Sequence, residues 1–159
     1  MIVKTGIGQD SHRFETRISD KKCIIGGIVF DNVPALEGNS DADVVLHALC
    51  NAISGVTGTN ILGKISDDMC RSGITDSQEY VKESMKYLKD YQISNVSISI
   101  ECKRPQISPR LIDMKSSIAE LLKIDCESIG ITATTGEALT DFGRGLGIQA
   151  FVVITVLKE

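Results

Sequence analysis

The stretch Ser40-Asp41-Ala42-Asp43-Val44-Val45-Leu46-His47-Ala48-Leu49 decides the fold, because the apolar pattern changes there to a helical period. Pairs of apolar residues recur at this period up to position 56, which predicts a helix with one buried face. Ser40 and Asp43 form a capping pair at its start, and Gly55 is its expected end. The other predicted elements are arranged on both sides of this helix.

Strand and helix patterns alternate in the flanking sequence. Further helices are predicted over residues 77–91 and 111–122, and strands over residues 23–30, 95–100, 129–134 and 148–157. Strands interleaved with three helices predict an α/β (α+β) sandwich, in which a mixed sheet carries three main helices on one side. No linker or repeat divides the sequence, so we expect one domain over residues 1–159.

Composition narrows the classes of function. Of the 159 residues, 42% are hydrophobic and 24% are charged, and the net charge of −4 gives no reason to expect nucleic-acid or membrane binding. No apolar run approaches the ~20 residues of a membrane helix, and the first residues do not resemble a signal peptide. Five widely spaced cysteines without a CxxC pair predict reduced thiols in a cytoplasmic protein.

Three residues are candidate metal ligands. Asp10 and His12 are two positions apart, so on an extended segment their side chains point to the same side. His47 lies in the predicted first helix, and the chain has only two histidines. Three such ligands with an open fourth position are typical of a catalytic zinc site. On spacing alone, a hydrogen-bonded Asp-x-His pair and a histidine satisfied in the core remain the commoner outcome.

A second candidate site follows the strand predicted over residues 129–134. Ala133-Thr134-Thr135-Gly136-Glu137 offers hydroxyls, backbone N–H groups and a carboxylate, and Arg144 lies between two glycines. Such groups can bind phosphate and a hard cation such as Mg²⁺. The alternative is a hydrogen-bonded turn with an exposed arginine. The glycine spacing matches neither a P-loop nor a dinucleotide fingerprint.

Taken in order, five segments are similar to the 2-C-methyl-D-erythritol 2,4-cyclodiphosphate synthase family, nearly end to end. The segments are Gly6-x-Gly8-x-Asp10-x-His12-x-Phe14, Ile25-Gly26-Gly27, Ser40-Asp41-Ala42-Asp43-Val44-Val45-Leu46-His47-Ala48-Leu49, Ala133-Thr134-Thr135-x-Glu137 and Gly143-Arg144-Gly145-x-Gly147-Ile148. The resemblance implies an α/β sandwich that assembles as a homotrimer with active sites at the subunit interfaces. It also implies a phosphorus–oxygen lyase of the non-mevalonate isoprenoid pathway, which converts a cytidine diphosphate-linked methylerythritol 2-phosphate into a cyclic diphosphate and CMP.

The resemblance assigns roles to residues. Asp10, His12 and His47 would bind Zn²⁺, Glu137 would bind Mg²⁺ or Mn²⁺ with the substrate, and Thr135 would act with them in catalysis. The implied substrate contacts are Asn39, Ser40, Gly63, Asp68, Gln106, Ala133, Thr134, Thr135 and Arg144.

The chain departs from the family pattern around the substrate, while the metal triad is intact. The departures are Asn39, Ile61, Ser66, Asp67, Gln106 and Gly136. Ile61 stands where the family usually has a carboxylate that holds the ribose. We therefore expect this chain to bind CDP weakly and the variant Ile61→Asp to bind it more tightly. Two alternatives stay open. The first alternative is a family relative that acts on another cytidylylated polyol phosphate. The second is a non-catalytic trimeric protein that binds a nucleotide or metabolite.

Overall fold

The structure is a computed structural model that describes residues 1–159. Six strands and four α-helices follow one another in the order β1-β2-β3-α1-α2-α3-β4-α4-β5-β6. The helices are α1 (Val44–Thr57), α2 (Lys64–Arg71), α3 (Ser77–Met85) and α4 (Leu111–Leu122). The strands are β1 (Ile2–Arg13), β2 (Cys23–Ile25), β3 (Ile28–Phe30), β4 (Gln92–Glu101), β5 (Ile129–Thr134) and β6 (Gly147–Lys158).

A mixed sheet with the strand order β1-β6-β4-β5 forms the centre of the molecule. The β1–β6 and β6–β4 pairs are antiparallel, whereas β4 and β5 run parallel. Alternate residues of β6, such as Val152 and Ile154, are fully buried under the helices, while Phe151 on the other face is exposed. One face of the sheet therefore builds the core, which confirms the predicted mixed sheet with helices on one side.

Helix α1 lies directly on β1 because two glycines remove the side chains between them. A Cβ atom on Gly8 would lie 2.0 Å from the carbonyl oxygen of Ala48, and one on Gly6 would lie 2.1 Å from that of Ala52. No other residue fits at such distances. Since alternate residues of β1 face the same way, this close approach puts His47 beside the next inward-facing side chains of the strand.

Asp43 fixes the start of α1. Its buried carboxylate accepts hydrogen bonds from the N–H groups of Val45 and Leu46, and also from those of the β2–β3 turn, Gly26-Gly27. Burial raises the pKa of Asp43 to about 6, although these N–H donors oppose the shift. The predicted capping pair was wrong in one respect: Asp43 is itself the N-cap, and Ser40 lies outside the helix.

The helices differ from the sequence-based prediction in three other respects. Helix α1 continues through Gly55 and ends at Thr57, and its C-cap is Gly58, whose φ of 75° is left-handed. Helix α3 ends at Met85 and passes into a 3₁₀ turn, so it is shorter than predicted. Helix α2 was not predicted, because it is short and mostly polar, and its apolar face consists only of Ile65 and Met69. The helices therefore number four, and none of them is long and apolar enough to cross a membrane.

Candidate active site

Asp10, His12 and His47 come together where β1 meets α1. Asp10 and His12 continue the inward-facing row of β1 glycines, and His47 projects from the first turns of α1. The Oδ2 atom of Asp10 lies 2.8 Å from Nε2 of His12 and 3.2 Å from Nδ1 of His47. The two nitrogens are 3.2 Å apart. These three residues form a group that could hold a metal ion, as the sequence predicted.

The spacing of the three atoms suits a divalent metal. Ligands bound tetrahedrally at the usual zinc distances of about 2.0–2.1 Å lie about 3.3 Å from one another, close to the separations found here. The Nδ1 atom of His12 lies 2.7 Å from the carbonyl oxygen of Glu37, which can only accept a hydrogen bond. A neutral His12 therefore carries its hydrogen on Nδ1, and its Nε2 lone pair faces the other two ligands.

The charges at this site also favour a cation. Burial acts to raise the pKa of Asp10, but the His12 and His47 rings beside its carboxylate outweigh this effect, so the pKa falls below its usual value. Burial acts to lower the pKa of His12, but the neighbouring carboxylate raises it above 6.5 overall. The triad thus has an ionised carboxylate that attracts a positive charge, whether a proton or a metal ion.

A pocket of about 250 Å³ opens above the triad. Among the predicted substrate contacts, Asn39 and Ser40 line it. Asp68 does not line it, since its carboxylate is exposed and pairs with Lys64 and Arg71. Gly63 begins α2 as its N-cap and is not part of the lining.

Helix α2 presents other residues to this pocket. Asp67 and Cys70 line it, together with Tyr80 from α3. Asp67, which departs from the family pattern, therefore lines the pocket. Its neighbour Asp68, which was expected to contact the substrate, points away from the pocket. The three-residue spacing of Asp67 and Cys70 would have indicated a shared helix face, had α2 been recognised.

The structure argues against a gain of CDP binding in Ile61→Asp. Its side chain is fully buried in the hydrophobic core, and its N–H group donates a hydrogen bond to the hydroxyl of Ser54. The Ile61 side chain faces the core, so an aspartate that kept this direction would be a buried carboxylate rather than a gained contact.

The second predicted site forms a separate pocket of about 340 Å³ at the end of β5. Gln106, Ala133, Thr134 and Thr135 line it, as expected from sequence, and so does Lys103, which was not singled out. The remaining lining residues are Cys102, Pro105, Ile107, Ser108 and Pro109.

Glu137 and Arg144 are not brought into this pocket. Glu137 lies in the 3₁₀ turn Gly136–Ala138 with an exposed side chain. The guanidinium of Arg144 pairs with Asp141 at 2.7 Å and also contacts the carbonyl oxygen of Ala138. Both residues remain at the rim of the loop that follows β5.

The two pockets lie at the same end of the sheet but at opposite edges. Strand register places Ser11 of β1 in one row with Gln149 of β6, Glu101 of β4 and Thr134 of β5. Three strand spacings of about 4.8 Å separate the ends of this row, which gives about 14 Å. Within one chain, the metal triad and the two threonines are therefore too far apart to hold the same phosphate.

The helix-covered face of the mixed sheet carries three side chains that could hold a metal ion. The fold and the site therefore define an α/β protein with a candidate metal centre. The chain belongs to the YgbB family, whose model matches residues 3–157. It is 52% identical to the 2-C-methyl-D-erythritol 2,4-cyclodiphosphate synthase of Chlamydia caviae over 159 residues, covering 99% of this chain and 90% of that protein.

Solved structures show the same fold. The bifunctional IspDF of Campylobacter jejuni superimposes with a TM-score of 0.87 at 26% identity, covering 98% of this chain and 42% of that longer one. The CDP complex of IspF from Plasmodium falciparum superimposes with a TM-score of 0.83 at 25% identity, covering 99% of this chain and 97% of that one.

Proposed function

We propose that this chain converts 4-diphosphocytidyl-2-C-methyl-D-erythritol 2-phosphate into 2-C-methyl-D-erythritol 2,4-cyclodiphosphate and CMP. An oxygen of the 2-phosphate attacks the β-phosphorus, and the bond from that phosphorus to the bridging oxygen of the CMP phosphate breaks. The reaction makes the chain a phosphorus–oxygen lyase of isoprenoid precursor synthesis. The observation that carries the proposal is the Asp10–His12–His47 triad, found in a chain about half identical to synthases of this name.

The metal of the triad is zinc in this proposal. Asp10, His12 and His47 would hold Zn²⁺, which would polarise a phosphate oxygen of the substrate at its open fourth position. The chain supplies no nucleophile, because the substrate carries its own. Its residues have to hold two mutually repelling phosphates in line, which is a positioning task.

The nucleotide half of the substrate belongs in the pocket at the end of β5. Thr134 and Thr135 offer hydroxyls to the phosphates, and Ala133 and Gln106 border the base. Glu137, exposed at the rim of this pocket, would hold Mg²⁺ or Mn²⁺ with the substrate, and Arg144 lies on the same loop. CDP bound to the Plasmodium falciparum relative supports a cytidine nucleotide as the ligand.

Two copies of the chain are needed to complete one active site. The metal triad and Thr134 are about three strand spacings apart within a chain, so the triad of one subunit would meet the nucleotide pocket of its neighbour. The uncovered face of the sheet, with Ile7 66% exposed and Phe151 39% exposed, offers apolar surface for such packing. We propose a homotrimer with interfacial sites.

The remaining features support the same proposal. The core of 35 buried residues draws on the sheet and on the helices, in keeping with one synthase-like domain over residues 1–159. Five free cysteines favour a reducing compartment such as the cytoplasm. The second candidate function is the same type of reaction on another cytidylylated polyol phosphate. The departures at Asn39, Asp67 and Gln106 suggest it.

Phosphorus NMR tests the proposal. Incubation with the methylerythritol substrate, Zn²⁺ and Mg²⁺ should produce the resonances of a cyclic diphosphate and of CMP in equal amounts. A His47→Ala variant serves as the matched inactive control. Zinc binding without any turnover would contradict the proposed activity and favour a binding protein. Turnover of a different cytidylylated polyol phosphate alone would favour the second candidate.

A further inference from the structure

A hydrogen-bond chain reaches the metal triad from behind His47. The Nε2 atom of His47 lies 2.9 Å from the hydroxyl oxygen of Ser77, and this oxygen also contacts the carboxylate of Asp41. Ser77 is fully buried at the first position of α3. We refer to these three side chains as the Asp41–Ser77–His47 chain.

Asp41 determines the direction of the hydrogen bonds, because a carboxylate can only accept them. The N–H groups of Asp43 and Ser77 donate to its two oxygens, each at 3.0 Å. The contact between the Ser77 hydroxyl and Asp41 must then be a hydrogen bond that Ser77 donates. The single hydroxyl hydrogen of Ser77 is thereby used.

His47 must accordingly donate to Ser77. With no hydrogen left to offer, the Ser77 oxygen can only accept from Nε2 of His47. The ring hydrogen therefore sits on Nε2, and the Nδ1 lone pair faces Asp10 and His12. Ser40 is the other hydroxyl near Nε2, but it is farther away at 3.4 Å.

We propose that Ser77 and Asp41 are positioning residues that hold His47 in the tautomer able to bind a metal ion. The inference rests on the proposed function, which supplies the metal. His12 is held in the opposite tautomer by the carbonyl of Glu37. The two histidines thus reach one ion through different ring nitrogens, and each needs its own acceptor on the far side of the ring.

Tautomers can be measured in the metal-free protein. Long-range ¹H–¹⁵N NMR at alkaline pH distinguishes the two neutral forms of each ring, and the chain has only two histidines. We expect His12 with its hydrogen on Nδ1 and His47 with its hydrogen on Nε2. Ser77→Ala should convert His47 into a mixture of tautomers and leave His12 unchanged.

Zinc affinity, measured by competition with a chelator, gives the second readout. Ser77→Ala should weaken zinc binding by about 10- to 100-fold, as is typical when the partner of a ligating histidine is lost. Ser84→Ala is the matched control, since Ser84 is buried on the same helix and donates to the carbonyl of Val81 at 2.7 Å. This control should retain both the tautomers and the zinc affinity of the wild type.

A further pair of variants separates the hydroxyl from packing. Ser77→Thr and Ser77→Val have side chains of nearly equal volume, so a shared loss of stability cancels between them. The threonine variant should keep the Nε2–H tautomer of His47, and the valine variant should lose it.

Three results would overturn the inference: an unchanged tautomer in Ser77→Ala, equal zinc losses in Ser77→Ala and Ser84→Ala, or no difference between threonine and valine. A wild-type protein that binds no zinc would refute the proposed metal instead. The tautomer measurement would still decide whether Ser77 orients His47.

Discussion

The candidate metal triad and the proposed nucleotide pocket lie at the same end of one sheet, yet their side chains are held very differently. His12 and His47 are mostly buried, and each ring has a hydrogen-bond partner on its outer nitrogen. Thr134 and Thr135, by contrast, are exposed at the end of the edge strand β5. One region is a preformed centre, whereas the other is an open pocket that a neighbouring chain would cover in the proposed trimer.

Loss of a triad ligand should give the largest effect. His12→Ala should weaken zinc binding by roughly a thousandfold, because about 10–16 kcal/mol of binding free energy is shared among few ligands. Chelator competition and elemental analysis measure the change. Thr135→Ala, at the other edge of the sheet, is the control and should keep one zinc per chain. Equal zinc content in the two variants would remove the contrast between the regions.

Replacement of Ile61 by aspartate should unfold the core rather than improve nucleotide binding. Ile61 is fully buried, and an unpaired carboxylate there should lower the free energy of unfolding by about 3–5 kcal/mol. Denaturant titration measures the change, with Ile112→Asp as the control because Ile112 is 78% exposed. A stable Ile61→Asp variant with stronger CDP binding would restore the sequence-based interpretation of this loop.

The tight contact between β1 and α1 should be intolerant of a single methyl group. A Cβ atom at Gly8 would lie 2.0 Å from the Ala48 carbonyl oxygen, so Gly8→Ala should lower stability by about 1–3 kcal/mol and also reduce zinc affinity. Gly130→Ala in β5 is the matched control, because a Cβ atom there meets nothing within 4 Å. Thermal unfolding that ranks the two variants equally would contradict this account.

The smallest effect is expected in the nucleotide pocket. Thr135→Ala should weaken CDP binding by about tenfold, equivalent to the loss of one hydrogen bond of about 1.4 kcal/mol, and leave zinc affinity unchanged. Isothermal titration with CDP measures it. Thr16→Ala, another exposed threonine outside both pockets, should bind CDP like the wild type. If Thr135→Ala binds CDP as tightly as the wild type, the phosphates of CDP do not bind at Thr135.

The sequence predicted those parts of the site that depend on local spacing. The period of α1, the two-residue spacing of Asp10 and His12, and the scarcity of histidine made the triad a candidate, and the family resemblance made it the expected metal site. Asp67 and Asp68 could not be distinguished in the same way. Their orientation depends on α2, a short and mostly polar helix with only two apolar residues on its inner face.

Long-range contacts were beyond the reach of the sequence pattern. Ser77 contacts His47 across 30 positions, and one hydroxyl in a helix start carries no signal of such a partner. Ile61 shows the converse, because alignment with a family position says nothing about whether the loop turns that side chain inward. Burial is decided by how the loop packs against α1, which only the structure gives.

Mixed assemblies test most directly the claim that a metal triad and a nucleotide pocket from neighbouring chains form one active site. His47→Ala lacks the first half-site and Thr135→Ala combined with Glu137→Ala lacks the second, so each protein alone should release little CMP. Co-expression of both should restore about a quarter of wild-type activity, because random assembly pairs two intact half-sites at that frequency. Mixed assemblies no more active than either parent would contradict the account.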